Sequence, residues 1–588
     1  MSGPDPVAVE IIRQAFSAAA REMHQTLIRG AYSPIIYDME DCGVGLFDRF
    51  GQMLGQSPGL PIFIGGLDQT VRLVHEWFGD PQSGDAFAVN DSFEVGSHLN
   101  DVTIVAPAFV DGELVGWSAV KGHWEDVGAK DAGESVDTTE IYQEGIRFKP
   151  IRVMAEGEWV RDVVNILCWN SRRPRTLMGD MSAQIAACRM GERRLVDLVE
   201  RFGLRTVEEA RDDIFRQSQE AERAFLRTLP NGEYSAEGFL NGDGQTDDPV
   251  PIKLTIRVED ESITFDLTGS SPQRPGNTNG GPAQAISVAH LAVQYLMHTD
   301  EEPTGGSFQH VQVVIPKGSV FDAELPAACW QYGSAPGMML NLTFKAMSEA
   351  LPSHIIAGQP DSSSNIIITG RFEDGSTFIT GGATALGWGA RYGADGQNAL
   401  SDTMSSGLKN HPVETMEAKR PVVVHRYQLR QDSGGPGRWR GGLGVERLYE
   451  LRHPIGRLSV WFERAKLPGW GLFGGSQGEI PGVQVLYPEG EELLVHKANH
   501  IPLREGTLVY ARTGGGGGYG PVWERDVEDV RTDIIAGYVS REAAAERYGV
   551  HFLPGSLEVD QDKTDTARVH LASQHRGSLS EHLVKAPV

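Results

Sequence analysis

The chain has 588 residues and a formal net charge of -26, and such an acidic balance repels nucleic-acid phosphates and anionic membrane surfaces. Its composition, with 40% hydrophobic and 22% charged residues, is that of a soluble globular protein, and no apolar run is long enough to span a bilayer. The four cysteines form no metal or disulfide spacing, and the first residues carry no export signal. The sequence therefore predicts a cytoplasmic protein that binds neither nucleic acids nor membranes.

The N-terminal region begins with an amphipathic helix predicted over Pro6–Leu27, because its apolar residues recur at three- and four-residue steps. A strand is predicted over Ile35–Asp48, and Asp41 lies inside it. A carboxylate in a strand is costly unless it is paired or bound. Taken alone, the residues favour a hydrogen-bonded structural role for Asp41 over a ligand role. A second helical pattern covers Ile62–Trp77.

A β-hairpin is predicted next, and the rest of the chain is organised around it. Two apolar, β-branched runs, Val102–Val105 and Leu114–Val120, lie on either side of the turn signal Asp111-Gly112. A hairpin brings the end of its second strand back to the start of its first. Residues just before the first strand and just after the second are therefore expected to meet.

The pattern His-x-x-Asp occurs at both of these positions, as His98–Asp101 and His123–Asp126, with Asp91 a little upstream. Imidazole nitrogen and carboxylate oxygen together suit zinc, manganese or ferrous iron, and three protein ligands leave a coordination position open. The alternative is a chance pattern, because a chain with 17 histidines contains some His-x-x-Asp pairs on its surface. The residues alone leave both interpretations open.

Beyond the hairpin, helices are predicted over Asp180–Phe202 and Val207–Leu229, and β-structure follows Asn231. The 70 glycines and 32 prolines indicate many tight turns. We predict an α+β fold, a large multilayered β-rich body with an N-terminal helix and interspersed helices. Its predicted parts are an α/β region with the hairpin at 1–230, a β-rich and loop-rich region at 231–555, and a polar, loosely attached tail at 556–588.

The glycine run Thr513–Gly520 suggests a phosphate-binding loop at first sight. It lacks the Gly-Lys-Ser/Thr ending of a nucleotide loop and the strand–turn–helix setting of a dinucleotide fingerprint. We interpret it as a turn packed through its backbone, and we expect no ATP site in this chain.

Many short motifs occur in a characteristic order along the chain: Ala31-Tyr32-Ser33, Glu40-Asp41-Cys42, Gly96–Val102, Lys121–Trp124, Gln143-Glu144-Gly145, Gly179-Asp180-Met181, Asp432–Gly435, Gly514–Gly520 and Val539–Glu542. Through these motifs the chain resembles the B-type component of the hydantoinase/oxoprolinase family, from near Pro6 to about Val550. It departs from common members at Trp124, where a second histidine is frequent, at Asn100, where proline is usual, and at Glu94-Val95, where a glycine often lies.

The resemblance implies an A-type partner subunit that binds and cleaves ATP with magnesium. It also implies a divalent metal on this chain, either zinc, manganese or iron. The ligand candidates that it implies are Asp41, His98 and Asp101, with His123 and Asp126 lining the same site.

Family activities are the ATP-dependent opening of hydantoins, 5-oxoproline or lactams and, in relatives, the ATP-dependent carboxylation of acetone or acetophenone. In the expected division of labour the partner phosphorylates the amide or ketone oxygen and the metal site receives the activated substrate. Asp126 or Asp101, whichever does not bind the metal, is the expected proton acceptor. A hydrolase subunit is the leading hypothesis, a ketone carboxylase subunit is the second, and a non-catalytic scaffold subunit is the third.

Overall fold

The computed structural model describes residues 5–57, 59–360 and 364–582, with side chains placed through residue 574. The fold is α+β, as predicted, with helices and several largely antiparallel sheets. The chain divides into two compact units. The first unit comprises Met1–Thr343, Ile367–Gly381 and Thr403–Arg420, and the second comprises Phe344–Ile366, Gly382–Asp402 and Pro421–Val588. The predicted boundaries at 230 and 555 stay a prediction.

The helices, in chain order, are α1 (Pro6–Gly30), α2 (Pro34–Tyr37), α3 (Pro61–Ile64), α4 (Leu67–Phe78), α5 (Ser92–Val95), α6 (Arg161–Trp169), α7 (Pro174–Phe202), α8 (Leu204–Leu226), α9 (Pro282–Met297), α10 (Ser334–Ala346), α11 (Val413–Lys419), α12 (Val527–Ile535), α13 (Arg541–Tyr548) and α14 (Gln561–His582). Within the described residues, none of these helices has the length and apolar character needed to cross a membrane.

The strands are β1 (Cys42–Asp48), β2 (Met53–Gln56), β3 (Ala86–Val89), β4 (Asp101–Val110), β5 (Glu113–His123), β6 (Ile151–Ala155), β7 (Glu158–Trp159), β8 (Gly232–Leu240), β9 (Val250–Glu259), β10 (Ser262–Asp266), β11 (Val311–Val314), β12 (Ser364–Arg371), β13 (Thr377–Thr384), β14 (Val422–Leu429), β15 (Val445–Leu451), β16 (Gly456–Trp461), β17 (Gly482–Leu486), β18 (Glu492–Val495), β19 (Lys497–Leu503) and β20 (Leu508–Arg512). The first unit contains a seven-stranded sheet in the order β2-β1-β5-β4-β3-β6-β7 and a four-stranded sheet in the order β11-β10-β9-β8. The second contains a five-stranded sheet in the order β14-β15-β20-β17-β18.

The first helix confirms its prediction and continues three residues further, to Gly30. The strand predicted over 35–48 is wrong in its first half, because Pro34–Tyr37 forms the short helix α2. Proline is favoured in a first helical turn, and the hydroxyl of Ser33 accepts a hydrogen bond from the Ile35 amide. The strand β1 therefore begins only at Cys42, and Asp41 lies at its entrance and not within it.

The predicted hairpin is confirmed as β4 and β5, the two central strands of the seven-stranded sheet. Asp111 and Gly112 form its turn with φ values of 50° and 81°, the left-handed conformation that an Asp-Gly turn adopts. One face of the hairpin packs on α7. The other face packs on α4 in a core that includes Trp117 and Leu67. The buried faces fix the register, because a slip of one residue would turn every side chain to the opposite face.

The glycine run lies in the second unit, where the backbone packing is so close that side chains are excluded. A Cβ atom at Gly516 would lie 2.0 Å from the Trp388 carbonyl oxygen, far closer than van der Waals contact allows. The amides of the run already donate to carbonyl oxygens: Gly515 to Glu479 (3.1 Å), Gly516 to Gly442 (3.0 Å), Gly517 to Gly358 (2.7 Å) and Gly518 to Ser476 (2.8 Å). A phosphate would find no free amide donor among these four residues.

Most of the predicted polar tail is a helix, α14, and it packs on other residues of the second unit. Thr564 is buried and its hydroxyl accepts from the amide of His551 at 3.0 Å. Arg568 donates to the carbonyl oxygen of Arg525 at 2.7 Å. These contacts correct the expectation of a loosely attached segment for 561–574. The last six residues of the predicted tail, 583–588, lie outside the described residues.

Candidate metal centre

The register of the hairpin places Asp101 directly opposite His123. The Nδ1 atom of His123 donates to Oδ1 of Asp101 at 3.1 Å, and both side chains are buried. His98 lies in the turn that leads into β4, with its Nδ1 atom 3.7 Å from the same carboxylate oxygen. The two imidazole rings meet edge to face with centroids 4.8 Å apart. Ligand atoms of His98, Asp101 and His123 all lie within 4.8 Å of one another.

Two further carboxylates reach this cluster from other parts of the first unit. Asp41, at the entrance of β1, has Oδ2 at 4.0 Å from Nδ1 of His123. Glu134 has Oε1 at 3.5 Å from Nε2 of the same ring. Glu134 was not singled out from the sequence, where the available signal was the acidic, glycine-containing segment Asp131–Glu134 that closely follows the second His-x-x-Asp pattern.

Burial and the neighbouring carboxylates determine the protonation states of the cluster residues. Burial lowers the pKa of His98 to about 4, so this ring is neutral and has a free nitrogen lone pair. Burial also acts to lower the pKa of His123, but the hydrogen bond to Asp101 and the charge of Asp41 raise it to about 9. Burial raises the pKa of Asp41 to about 7. The cluster thus retains protons at neutral pH, and metal ions characteristically displace protons from such ligands.

Several buried atoms of the cluster have no hydrogen-bond partner within the described part of the chain. They are Nδ1 of His98, Oδ2 of Asp101 and Oδ1 of Asp41. A buried polar atom without a partner is costly, and such atoms are few in native proteins. Nitrogen and carboxylate oxygen are the donor atoms that zinc, manganese and ferrous iron accept. The residues present therefore fit a divalent metal ion.

Asp126 is not brought to this cluster. Its Oδ1 atom accepts from Nη1 of Arg172 at 2.8 Å, and its Oδ2 atom accepts from the Arg172 amide and the Ser171 hydroxyl. The second His-x-x-Asp pattern therefore contributes His123 alone. Asp91 is also separate, since its carboxylate caps α5 by accepting from the Phe93 amide at 3.1 Å.

A buried lysine lies beside the cluster on the same face of β5. Lys121 precedes His123 by two residues, and side chains two apart in a strand share a face. Its Nζ atom donates to the hydroxyl of Ser97 at 3.2 Å and lies 5.4 Å from the centroid of the Phe63 ring. Burial lowers its pKa to about 8, against the attraction of Asp101.

The ends of the two hairpin strands are held together by hydrogen bonds of Asn100, Trp124 and Gln184. Trp124 donates its amide to the carbonyl oxygen of Asn100, and Nδ2 of Asn100 donates back to the carbonyl oxygen of Trp124, both at 2.8 Å. The indole nitrogen of Trp124 donates to Oε1 of Gln184 on α7. Nε2 of Gln184 in turn donates to the carbonyl oxygens of Val102 and Val120. These bonds fix the strand ends that carry Asp101 and His123.

A family model described as hydantoinase B/oxoprolinase matches residues 5–522. The chain belongs to this family, as its motifs indicated.

Individual relatives agree with the assignment. A protein of Pseudomonas sp. (strain NS671), provisionally named as the B component of a D-/L-hydantoinase, is 31% identical over 588 residues, which covers 96% of this chain and 98% of the relative. The beta component of the caprolactamase of Pseudomonas jessenii is 30% identical over 583 residues, which covers 97% of this chain and all of the relative.

Solved structures share the fold. A crystal structure of the ATP-dependent caprolactamase from Pseudomonas jessenii matches with a TM-score of 0.89 at 28% identity, over 96% of this chain and 99% of that one. A nucleotide-free structure of an acetone carboxylase matches with a TM-score of 0.88 at 20% identity, over 99% of this chain and 84% of that one. At this identity the second likeness shows the fold alone.

Proposed function

We propose that the chain is the metal-binding subunit of an ATP-dependent cyclic-amide hydrolase that opens a hydantoin, oxoproline or lactam ring. The observation that carries the proposal is the convergence of His98, Asp101 and His123 within 4.8 Å in a member of this family. Two relatives are named as one component each of a hydantoinase and a caprolactamase, and these names supply the substrate class and a partner subunit. Four unpaired cysteines suit a reducing compartment, and the proposal places the protein in the cytoplasm.

In this proposal His98, Asp101 and His123 hold the ion, and Asp41 and Glu134 lie at the edge of the site. A divalent ion held there supplies Lewis-acid polarisation of a carbonyl or phosphoryl oxygen. The two edge carboxylates lie within 4.0 Å of the His123 ring and are the groups placed to accept and return protons. Asp126 is left out of the proposed set, because its carboxylate is engaged by Arg172.

The proposal assigns ATP and magnesium to an A-type partner subunit. Supporting it, the glycine run of this chain uses its amides for internal hydrogen bonds. We predict that the isolated chain shows no saturable heat of binding when ATP and magnesium are titrated by calorimetry. The reconstituted complex is the positive control. Micromolar binding to the isolated chain would show that it holds a nucleotide site of its own.

We predict that turnover requires the partner and ATP. The chain is to be co-expressed with its A-type partner, purified as a complex by size exclusion, and offered hydantoin, caprolactam and 5-oxoproline in turn, with ATP consumption measured. Ring opening coupled to ATP cleavage is the expected result. Ring opening by the isolated chain without ATP would contradict the two-subunit scheme. Turnover only with a ketone and bicarbonate would favour the carboxylase alternative, and no turnover of any substrate would favour a scaffold.

Lys121 is proposed as a positioning residue that orients a substrate oxygen beside the ion. Its ammonium group is buried, and Ser97 accepts one of its three possible hydrogen bonds. Replacing Lys121 by methionine keeps the volume of the side chain and removes the charge. We predict that turnover of the complex falls by about ten- to a hundredfold while the metal content is unchanged. Lys253→Met, at an exposed lysine, is the matched control and is expected to have no effect. An unchanged rate in Lys121→Met would contradict the role.

A further inference from the structure

The first unit contains a partly open cavity of about 620 Å³ between α3, α4, α9 and the segment 302–309. This volume lies within the range of about 300–1,000 Å³ that small-molecule sites occupy. None of the described residues that line the cavity belongs to the metal cluster. Nothing in the proposed mechanism uses this space.

Two stacked rings are among the residues that line the cavity. His290 and Phe308 are stacked with centroids 4.5 Å apart and planes 10° from parallel. Burial lowers the pKa of His290 to about 4, so the ring is uncharged at neutral pH. Phe308 has a φ of 61°, a conformation that is unusual for a bulky side chain and that occurs where the surrounding structure imposes it. The buried carboxylate of Glu222 holds the next two amides, those of Gln309 and His310, and so fixes this loop.

The charges that line the cavity are already paired. Arg72 contacts Asp68 at 2.6 Å, and Glu302 accepts from the Ser17 hydroxyl at 2.9 Å and lies 3.9 Å from Arg21. An anion entering the cavity would meet no unpaired cation among the described lining residues. A neutral ligand therefore fits this lining better than an anion does.

The polar groups that line the cavity fit a ligand that both donates and accepts hydrogen bonds. The Oε1 atom of Gln56 is buried without a hydrogen-bond partner among the residues described, and it lines the cavity. A ligand N–H group would satisfy it. The side-chain amides of Gln52 and Gln69 also line the cavity and can donate to a ligand carbonyl oxygen.

We propose that this cavity is a second small-molecule site, which binds a neutral, flat ring carrying an N–H group beside a carbonyl, the chemistry of a cyclic amide or imide. The ring packs against the stacked pair of His290 and Phe308, and its N–H donates to Gln56. The choice of cyclic amides as probes rests on the proposed function, whereas the site itself rests on the lining residues.

Calorimetric titration of the full chain with hydantoin tests this proposal. Hydantoin-5-acetate, which adds a carboxylate to the same ring, tests the preference for neutral ligands. The variants are Gln56→Leu, which removes the acceptor, and His290→Ala, which removes one ring of the stacked pair. Gln82→Leu changes an exposed glutamine outside the cavity and is the matched control. Asp101→Asn removes a proposed metal ligand and separates binding in the cavity from binding at the metal centre. Circular dichroism and thermal melting establish that each variant is folded.

We expect saturable hydantoin binding in the wild-type chain, in Gln82→Leu and in Asp101→Asn. Gln56→Leu and His290→Ala should each weaken it by about five- to tenfold, the usual effect of losing one hydrogen bond or one aromatic contact. The anionic probe should bind at least about tenfold more weakly than hydantoin, because no unpaired cation compensates for its loss of hydration. Absence of binding, binding that only Asp101→Asn abolishes, or binding that neither cavity variant weakens would overturn the proposal. Binding is measured on the isolated chain. A failed turnover assay would therefore leave this test of the cavity unaffected.

Discussion

Replacing Asp101 with asparagine is expected to abolish turnover of the complex and to lower the metal affinity of the chain by at least about a hundredfold. Loss of a residue that only orients a ligand costs about 10- to 100-fold, and loss of a ligand costs more. Asp101 lies at the centre of the cluster, because its Oδ1 atom is close to both His98 and His123. Asparagine keeps the shape of the side chain and removes the negative charge that a cation needs.

The matched control for this variant is His425→Ala. His425 is exposed and pairs with Glu450 at 2.6 Å, so the substitution removes a histidine–carboxylate pair that lies outside the proposed metal site. Full turnover and unchanged metal content are expected for it. The metal affinity is to be measured by competition with a chelator. An Asp101→Asn chain that binds metal as tightly as the wild type and still supports turnover would show that the chemistry takes place elsewhere.

Replacing Gly516 with alanine is expected to cost more than about 3 kcal/mol of stability in the second unit. A Cβ atom there would overlap the Trp388 carbonyl oxygen, and this neighbour belongs to the backbone, which cannot move aside as a flexible side chain can. A shift of the chain would also break the hydrogen bond from the Gly516 amide to the carbonyl oxygen of Gly442. Urea unfolding and limited proteolysis measure the effect.

Gly482→Ala is the matched control in the same unit. Gly482 lies in β17, and a Cβ atom there would meet its nearest neighbour, Nε2 of His496, at 3.6 Å, an ordinary contact. Its effect should stay within about 0.5 kcal/mol. A Gly516→Ala chain as stable as the control, but with nucleotide binding altered, would contradict an architectural role for the glycine run.

The hairpin and the core of the site could be predicted because both follow from local patterns. Strand residues alternate with a period of two, and the Asp-Gly turn brings the outer ends of the two strands together. Counting from the turn pair Val110 and Glu113 would place Asp101 opposite Gly122, but a bulge between Ala108 and Phe109 shifts the register by one residue and brings Asp101 opposite His123. The turn thus predicts the meeting of the strand ends, and the exact pair depends on the bulge. His98 lies close by because only the short turn before β4 separates it from Asp101. The motifs of the family then added Asp41.

The remaining parts of the site depend on tertiary packing, which no local pattern encodes. A three-residue spacing places two side chains together on a helix, whereas Asp126 follows the end of β5, where the direction of the chain is set by its contacts with Arg172. Glu134 reaches the cluster from a loop, and its place depends on how that loop folds back over the strand end. The place of Asp41 outside the strand depends on Ser33 and Pro34, which begin the short helix α2 in a segment whose apolar, β-branched residues favour a strand.

The elemental content of the purified, tag-free chain most directly tests whether His98, Asp101 and His123 hold a divalent metal ion. Mass spectrometric analysis for zinc, manganese and iron is expected to find about one ion per chain, since the described residues contain one such cluster. The ion should be lost from Asp101→Asn and retained in His425→Ala. A wild-type chain with none of these metals, which takes up none when they are supplied, would contradict the metal centre.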